Sequence, residues 1–156
     1  MPEGSAQQIY GLLQTSIRKK DLVAGRTLYS LITKRGSELD VFLGTHFIPM
    51  FILCRASSQD SSWIFNKMPE RNAWTWSLSI DAFVKTGQHT EALQLFCRMD
   101  LQPNSFVLVS ALKACLRVQD CMLIHALILE IRMEIDVHVG NTLVSSYGDF
   151  NSIRDA

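Results

Sequence analysis

From Trp74 to Asn104 the chain reads WTWSLSIDAFVKTGQHTEALQLFCRMDLQPN, and this stretch forms a complete structural unit by itself. Ile80, Phe83 and Val84 recur at helical spacing, Thr86-Gly87-Gln88 interrupts them, and the pattern resumes as Glu91-Ala92-Leu93-Gln94-Leu95-Phe96 before Met99 and Pro103. The reading is helix, turn, helix, stop. Gly87 supplies the left-handed backbone that ends a helix, and Lys85 suits the carbonyl end. The second helix is expected to start near His89 or Thr90, with the Thr90 hydroxyl bonding a free amide and Glu91 favoured by the helix dipole. Two antiparallel helices of about three turns bury only one face against each other, so the unit requires neighbours.

Those neighbours recur at a constant interval. Phe42, Trp74, Phe106 and His138 are separated by 32 residues each time (74 − 42, 106 − 74, 138 − 106), and so are Asp40, Asn72, Asn104 and Asp136. Phe65 and Met68 recur as Phe96 and Met99. The chain is therefore an array, divided as residues 6–40, 41–72, 73–104, 105–136 and an incomplete repeat at 137–156 within one helical-repeat domain. Strict periodicity aligns Tyr10 with Phe42, whereas the Leu12-Leu13 pair argues for a shifted register, so the phase of the first repeat stays open.

These residues make the chain resemble the pentatricopeptide repeat family of plant organelles, in particular the subclass that alternates ordinary, long and short repeats. Residues 74–103 resemble the short form. Residues 105–136, with Leu112-Lys113-Ala114-Cys115 and Ile124-His125-Ala126, resemble the long form, as do residues 12–40 through Leu12-Leu13-Gln14 and Asp21 to Arg26. Residues 41–72 resemble the ordinary form through Ile64-Phe65-Asn66-Lys67-Met68-Pro69-Glu70-Arg71-Asn72. The resemblance implies an all-α fold of about nine helices, an α-solenoid of stacked antiparallel pairs wound as a right-handed superhelix.

Composition agrees with a packed array. Of 156 residues 47% are hydrophobic and 19% charged, which is globular rather than disordered. The apolar stretch 111–131 is interrupted by Lys113, Arg117, Asp120 and Glu130, so no membrane span is expected. The start, Met1-Pro2-Glu3-Gly4-Ser5, has neither a signal-peptide core nor an Arg-rich transit pattern. Formal net charge is zero, but Arg18, Lys19, Lys20, Arg26, Lys34 and Arg35 make the first repeat basic while the last third is acidic. The four cysteines, Cys54, Cys97, Cys115 and Cys121, fall in apolar helical patterns and read as small core residues.

Three departures from regularity stand out. Pro49 lies inside a first helix, where the lost hydrogen bond and the clash cost about 3 kcal/mol unless the helix kinks. After Cys54 a polar loop, residues 55–62, replaces the glycine turn, and a weak point is expected there. The fourth repeat lacks about three residues around Asp120-Cys121-Met122, with its second helix expected from Met122 to Arg132. The array stops at Ala156, half a unit into the fifth repeat, as expected for a piece of a longer array.

Catalysis finds little support. Cys115, Cys121 and His125 are six and four residues apart, which is not a zinc spacing, and no Cys-x-x-Cys occurs. No enzyme activity, metal or cofactor is expected, and His125 reads as a packed histidine with a satisfied hydrogen bond. The resemblance implies instead that the chain binds single-stranded RNA, one residue near the start of each first helix acting with the last residue of that repeat. Carried over, these are Thr45 with Asn72 and Ser77 with Asn104, both the adenine combination of the family. Val109 with Asp136 makes a spacer, and Asn141 leans to pyrimidine. Phe42, Trp74, Phe106 and His138 occupy the positions that stack on bases, unless they are buried between repeats. By resemblance the protein is a chloroplast or mitochondrial monomer supporting RNA processing or C-to-U editing, with any deaminase supplied in trans. A helical scaffold for protein partners and a degenerate array without binding are the alternatives.

Overall fold

The computed structural model describes residues 3–34, 41–54, 65–66 and 71–154; the side chains of residues 3–6, 33, 41–45 and 152–154 lie outside the description. Its described elements are helices: α1 Glu3–Lys19, α2 Leu22–Lys34, α3 Val41–Leu53, α4 Ala73–Lys85, α5 His89–Cys97, α6 Ser105–Ala114, α7 Val118–Glu130 and α8 Val137–Arg154. The all-α class holds. About nine helices are expected and eight are described; Phe65 and Asn66 are also helical, within a segment that otherwise lies outside the described residues. Backbone contacts divide the chain into two compact units, Met1–Arg71 and Asn72–Ala156.

In the first unit α1, α2 and α3 pack against one another. Leu13, Phe47, Ile48, Met50, Phe51 and Ile52 form its core, and Tyr29 meets Phe47 and Phe51 edge-on at 5.6 and 6.0 Å. Gly25 is buried because α2 approaches α3 closely: a β-carbon there would collide with Met50 Sδ. Pro49 does not end α3, which runs on to Leu53. Four of the five residues from Phe47 to Phe51 are buried around it, so tertiary packing holds a helix that proline alone would weaken. The polar loop expected to be weak lies outside the described residues.

In the second unit α4 packs on α6 and α6 on α8, while α5 and α7 flank them. Leu108, Leu112, Ile124, Ile128 and Val139 fill the core of its later half. Each first helix starts with an acidic or amide side chain bonded to its free amides. Asn72 Oδ1 accepts from Thr75 N–H at 2.9 Å, Asn104 Oδ1 from Val107 N–H at 3.1 Å, and Asp136 Oδ1 from His138 and Val139 N–H at 2.9 and 3.1 Å. Asn72, Asn104 and Asp136, three of the polar residues that repeat every 32 positions, are thus N-caps, a role the periodicity alone did not reveal; Asp40 lies outside the described residues.

Helix ends also share one device. Gly87 has φ +76, its N–H donates to Val84 O at 3.0 Å, and Gln88 N–H donates to Phe83 O at 2.9 Å. The same pair of bonds closes α1 at Lys20 (φ 53) and α7 at Arg132 (φ 58). Lys20 and Gly87 are 67 residues apart (87 − 20), which aligns Leu13 with Ile80, both 0% exposed, and places Tyr10 in phase with Ser77 rather than Trp74. On that alignment Tyr10 stands three residues off the strict 32-residue phase.

Three local expectations are corrected. Gln88, not Thr90, occupies the cap position of α5, and its side chain makes no cap bond. α7 starts at Val118 rather than Met122: Cys115 turns extended (φ −66, ψ 121), and the shortening falls in α6, which has 10 residues against 13 in α4. Cys54, Cys115 and Cys121 are buried, but Cys97 is exposed at the end of α5. Burial pushes the Cys115 thiol up to about 12, so it stays protonated and inert at neutral pH.

A left-handed conformation costs a side-chain-bearing residue about 1 kcal/mol that glycine avoids. Lys20→Gly and Arg132→Gly are each expected to raise stability by up to about 1 kcal/mol, and Gly87→Ala to lower it by a similar amount, in urea unfolding followed by circular dichroism.

Candidate nucleic-acid interface

The capped helix starts decide where the aromatic positions fall. Two residues after each cap come Trp74, Phe106 and His138, in the first turns of α4, α6 and α8. All three are exposed, Trp74 to 52% and Phe106 to 61%, so they are not buried between repeats. The Trp74 and Phe106 rings meet edge-on, centroids 6.1 Å apart at 83°. Because α4 packs beside α6 and α6 beside α8, these side chains form a row along the starts of the first helices. Phe42 and Thr45 belong to α3, and their side chains lie outside the described residues.

Residues three and seven positions further on share the face of the aromatic residue in a helix. On α4 these are Ser77 and Asp81, on α6 Val109 and Lys113, and on α8 Asn141 and Ser145. Ser77 is only 7% exposed, whereas Asn141 is open to solvent. Ser77 is therefore more enclosed than an open groove position. Between α6 and α8 lies a cleft of about 470 Å³ lined by Lys113, Asn141, Ser145 and Asp149 over an apolar floor of Leu112 and Cys115.

Charge along this face is partly neutralised. Lys85 pairs with Asp81 at 2.6 Å, while the exposed Lys113 has no ion pair among the described residues. Lys113 lies outside the basic first repeat, and its spacing of seven residues from Phe106 is the sequence signal that places it on this face. The remaining polar groups are set by capping. With Oδ1 committed to the helix, Asn72 and Asn104 keep their amide N–H groups as donors for a ligand, while Asp136 retains only acceptors.

His125 is packed as expected. Its Nδ1 lies 3.2 Å from the Tyr147 hydroxyl, and the two rings meet edge-on at 5.7 Å. His89 and Glu91 stand in His-x-Glu order on α5, yet among the described residues no group of three or more His, Cys, Asp or Glu could hold a metal ion. Among them, too, no helix is long and apolar enough to cross a membrane.

Proteins of similar sequence carry one family name. A chloroplastic pentatricopeptide repeat-containing protein of Arabidopsis thaliana is 35% identical over 154 residues, which is 95% of this chain and 25% of that protein. A mitochondrial one is 31% identical over 151 residues, 93% of this chain and 15% of that protein. A third from the same plant is 32% identical over 155 residues, again 93% of this chain but 16% of its own length. The chain thus spans between 15 and 25% of the length of these curated relatives. No family model matches it.

The cap and any ligand-reading role of Asn104 are separable. Asn104→Ala is expected to cost about 1 kcal/mol of stability through loss of the cap, while Asn104→Asp keeps it and leaves stability within about 0.5 kcal/mol of the parent. Chemical denaturation of the two variants checks this.

Proposed function

Since the chain belongs to the pentatricopeptide repeat family, we propose that it binds single-stranded RNA along the starts of its first helices. The observation that carries this reading is the exposed row of Trp74, Phe106 and His138, where three successive first helices each offer a ring to solvent at one register. Water-exposed rings of this size gain by covering their faces, and a base stacked on one contributes about 1 to 3 kcal/mol. Spacing supports a chain-like ligand. Neighbouring packed helices are about 8 to 10 Å apart, a distance successive nucleotides of an extended strand can follow when their bases are splayed.

Selectivity comes from the groups beside each ring. Asn72 and Asn104 offer amide donors that suit adenine with Thr45 and Ser77, Val109 leaves its repeat as a spacer, and Asn141 with the cleft below it takes a pyrimidine. Lys113 meets a phosphate from the same face. The array serves organelle RNA processing or C-to-U editing, with any deaminase supplied by another protein. Relatives named chloroplastic and mitochondrial support an organelle setting.

Fluorescence anisotropy with short single-stranded RNAs that carry AA or UU at two adjacent positions, at two salt concentrations, tests the reading. Trp74→Ala or Phe106→Ala is expected to weaken binding by about 5- to 150-fold, the equivalent of one lost stack. Lys113→Ala should flatten the dependence of log affinity on log salt by about 0.7, the loss of one phosphate contact. Equal binding of AA and UU that high salt abolishes would refute adenine selectivity; no binding by the parent chain would refute RNA recognition altogether.

A further inference from the structure

The cleft of about 470 Å³ between α6 and α8 collects four polar side chains that the fold leaves uncommitted. Lys113, Asn141, Ser145 and Asp149 line it, and among the described residues none of the four makes a side-chain hydrogen bond or an ion pair. The other polar groups of the lining are tied to their own helices. Thr142 Oγ1 donates to His138 O at 2.8 Å, Ser146 Oγ to Thr142 O at 2.9 Å, and Cys115 Sγ to Ala111 O at 3.5 Å.

Helix geometry sets the order of the free groups. Asn141, Ser145 and Asp149 recur every four residues, which makes a stripe of about 12 Å along one side of α8. α6 starts at Ser105 and α8 at Val137, so Lys113 and Ser145 stand at the same level of their helices (113 − 105, 145 − 137). Going down from the helix starts, the cleft offers an amide, then a hydroxyl level with an ammonium group, then a carboxylate. That span is long enough for the base, sugar and phosphate of one nucleotide.

The carboxylate is the group that a phosphate-binding face does not explain. An ionised Asp accepts hydrogen bonds and donates none, so it has nothing to offer a phosphate oxygen and repels its charge. Inside a nucleic-acid strand the sugar-phosphate backbone holds a single donor, the ribose 2′-hydroxyl, which is also the group that separates RNA from DNA. Building on the RNA-binding reading above, we infer that Asp149 accepts a hydrogen bond from the 2′-hydroxyl of the nucleotide whose base meets Asn141 and whose phosphate meets Lys113. The cleft thereby selects ribose over deoxyribose: a deoxyribose strand meets the same negative charge without a donor to satisfy it.

The test titrates the whole chain, by fluorescence anisotropy, with oligouridines of equal length carrying ribose, 2′-fluororibose or 2′-deoxyribose. The fluoro sugar keeps the pucker of ribose but lacks the donor, and the uracil imino group is common to all three. The ribose strand is expected to bind about tenfold more tightly than either of the others, as for one hydrogen bond to a charged group. In Asp149→Ala the three affinities should converge to within about twofold, with the deoxyribose strand binding more tightly than it does to the parent once the repulsion is gone. Asp149 is exposed, so the substitution leaves the core intact, and a ratio taken within one variant cancels any loss of active protein. Equal binding of all three strands by the parent, a fluoro strand that matches ribose, or a ribose preference that survives Asp149→Ala would each overturn ribose selection and leave RNA binding standing. Failure of the parent to bind any strand would overturn both.

Discussion

Each first helix of the second unit starts where an Asn or Asp side chain satisfies its free amides, and the placement of the rest follows from that bond. Asn72, Asn104 and Asp136 hold the starts of α4, α6 and α8 at the same phase of the repeat. A helix start fixed to the residue also fixes the angle at which every later side chain leaves the axis. Trp74, Phe106 and His138 therefore emerge at one register, and Ile80 and Leu112, six residues further on from the first two, enter the core in both helices. Were the cap to slip by one residue, the faces would rotate by about 100°, exchanging core for surface.

Under the proposed RNA-binding reading, the cap would also couple stability to recognition. The same side chains that the family resemblance assigns to base reading spend an oxygen on the helix, so a base would meet an amide whose orientation is already chosen. Pre-set polar groups of this kind lose little freedom on binding, which favours selectivity over raw affinity. The cost falls on versatility, because an Asn in this position offers donors and an Asp offers acceptors, with no rotation available to exchange them.

Packing is uneven between the two layers of helices. First helices lie side by side and bury their faces, whereas α5 and α7 make no close backbone contact, and α6, at 10 residues, is shorter than the 13-residue α4. Apolar surface that a regular array would cover remains open, as at Leu116, Met122 and Leu123, which are 64%, 57% and 73% exposed.

The all-α class, the helix-turn-helix unit, the interval of 32 and the left-handed turn at Gly87 were legible in the sequence, because each depends on local backbone preference or on the period of apolar residues. The aromatic positions were legible as positions, but not their exposure. Whether a ring at a given phase faces a neighbour or solvent depends on how closely adjacent helices approach, and no single helix encodes that. The same reason hid the enclosure of Ser77, the exposure of Cys97 and the cleft between α6 and α8. Pro49 shows the reverse case: a local signal argued for a break in α3, and the burial of Phe47, Ile48, Met50 and Phe51 overrode it. Local chemistry determined what each segment could become, and the packing of segments against one another decided which of its surfaces remained available for function.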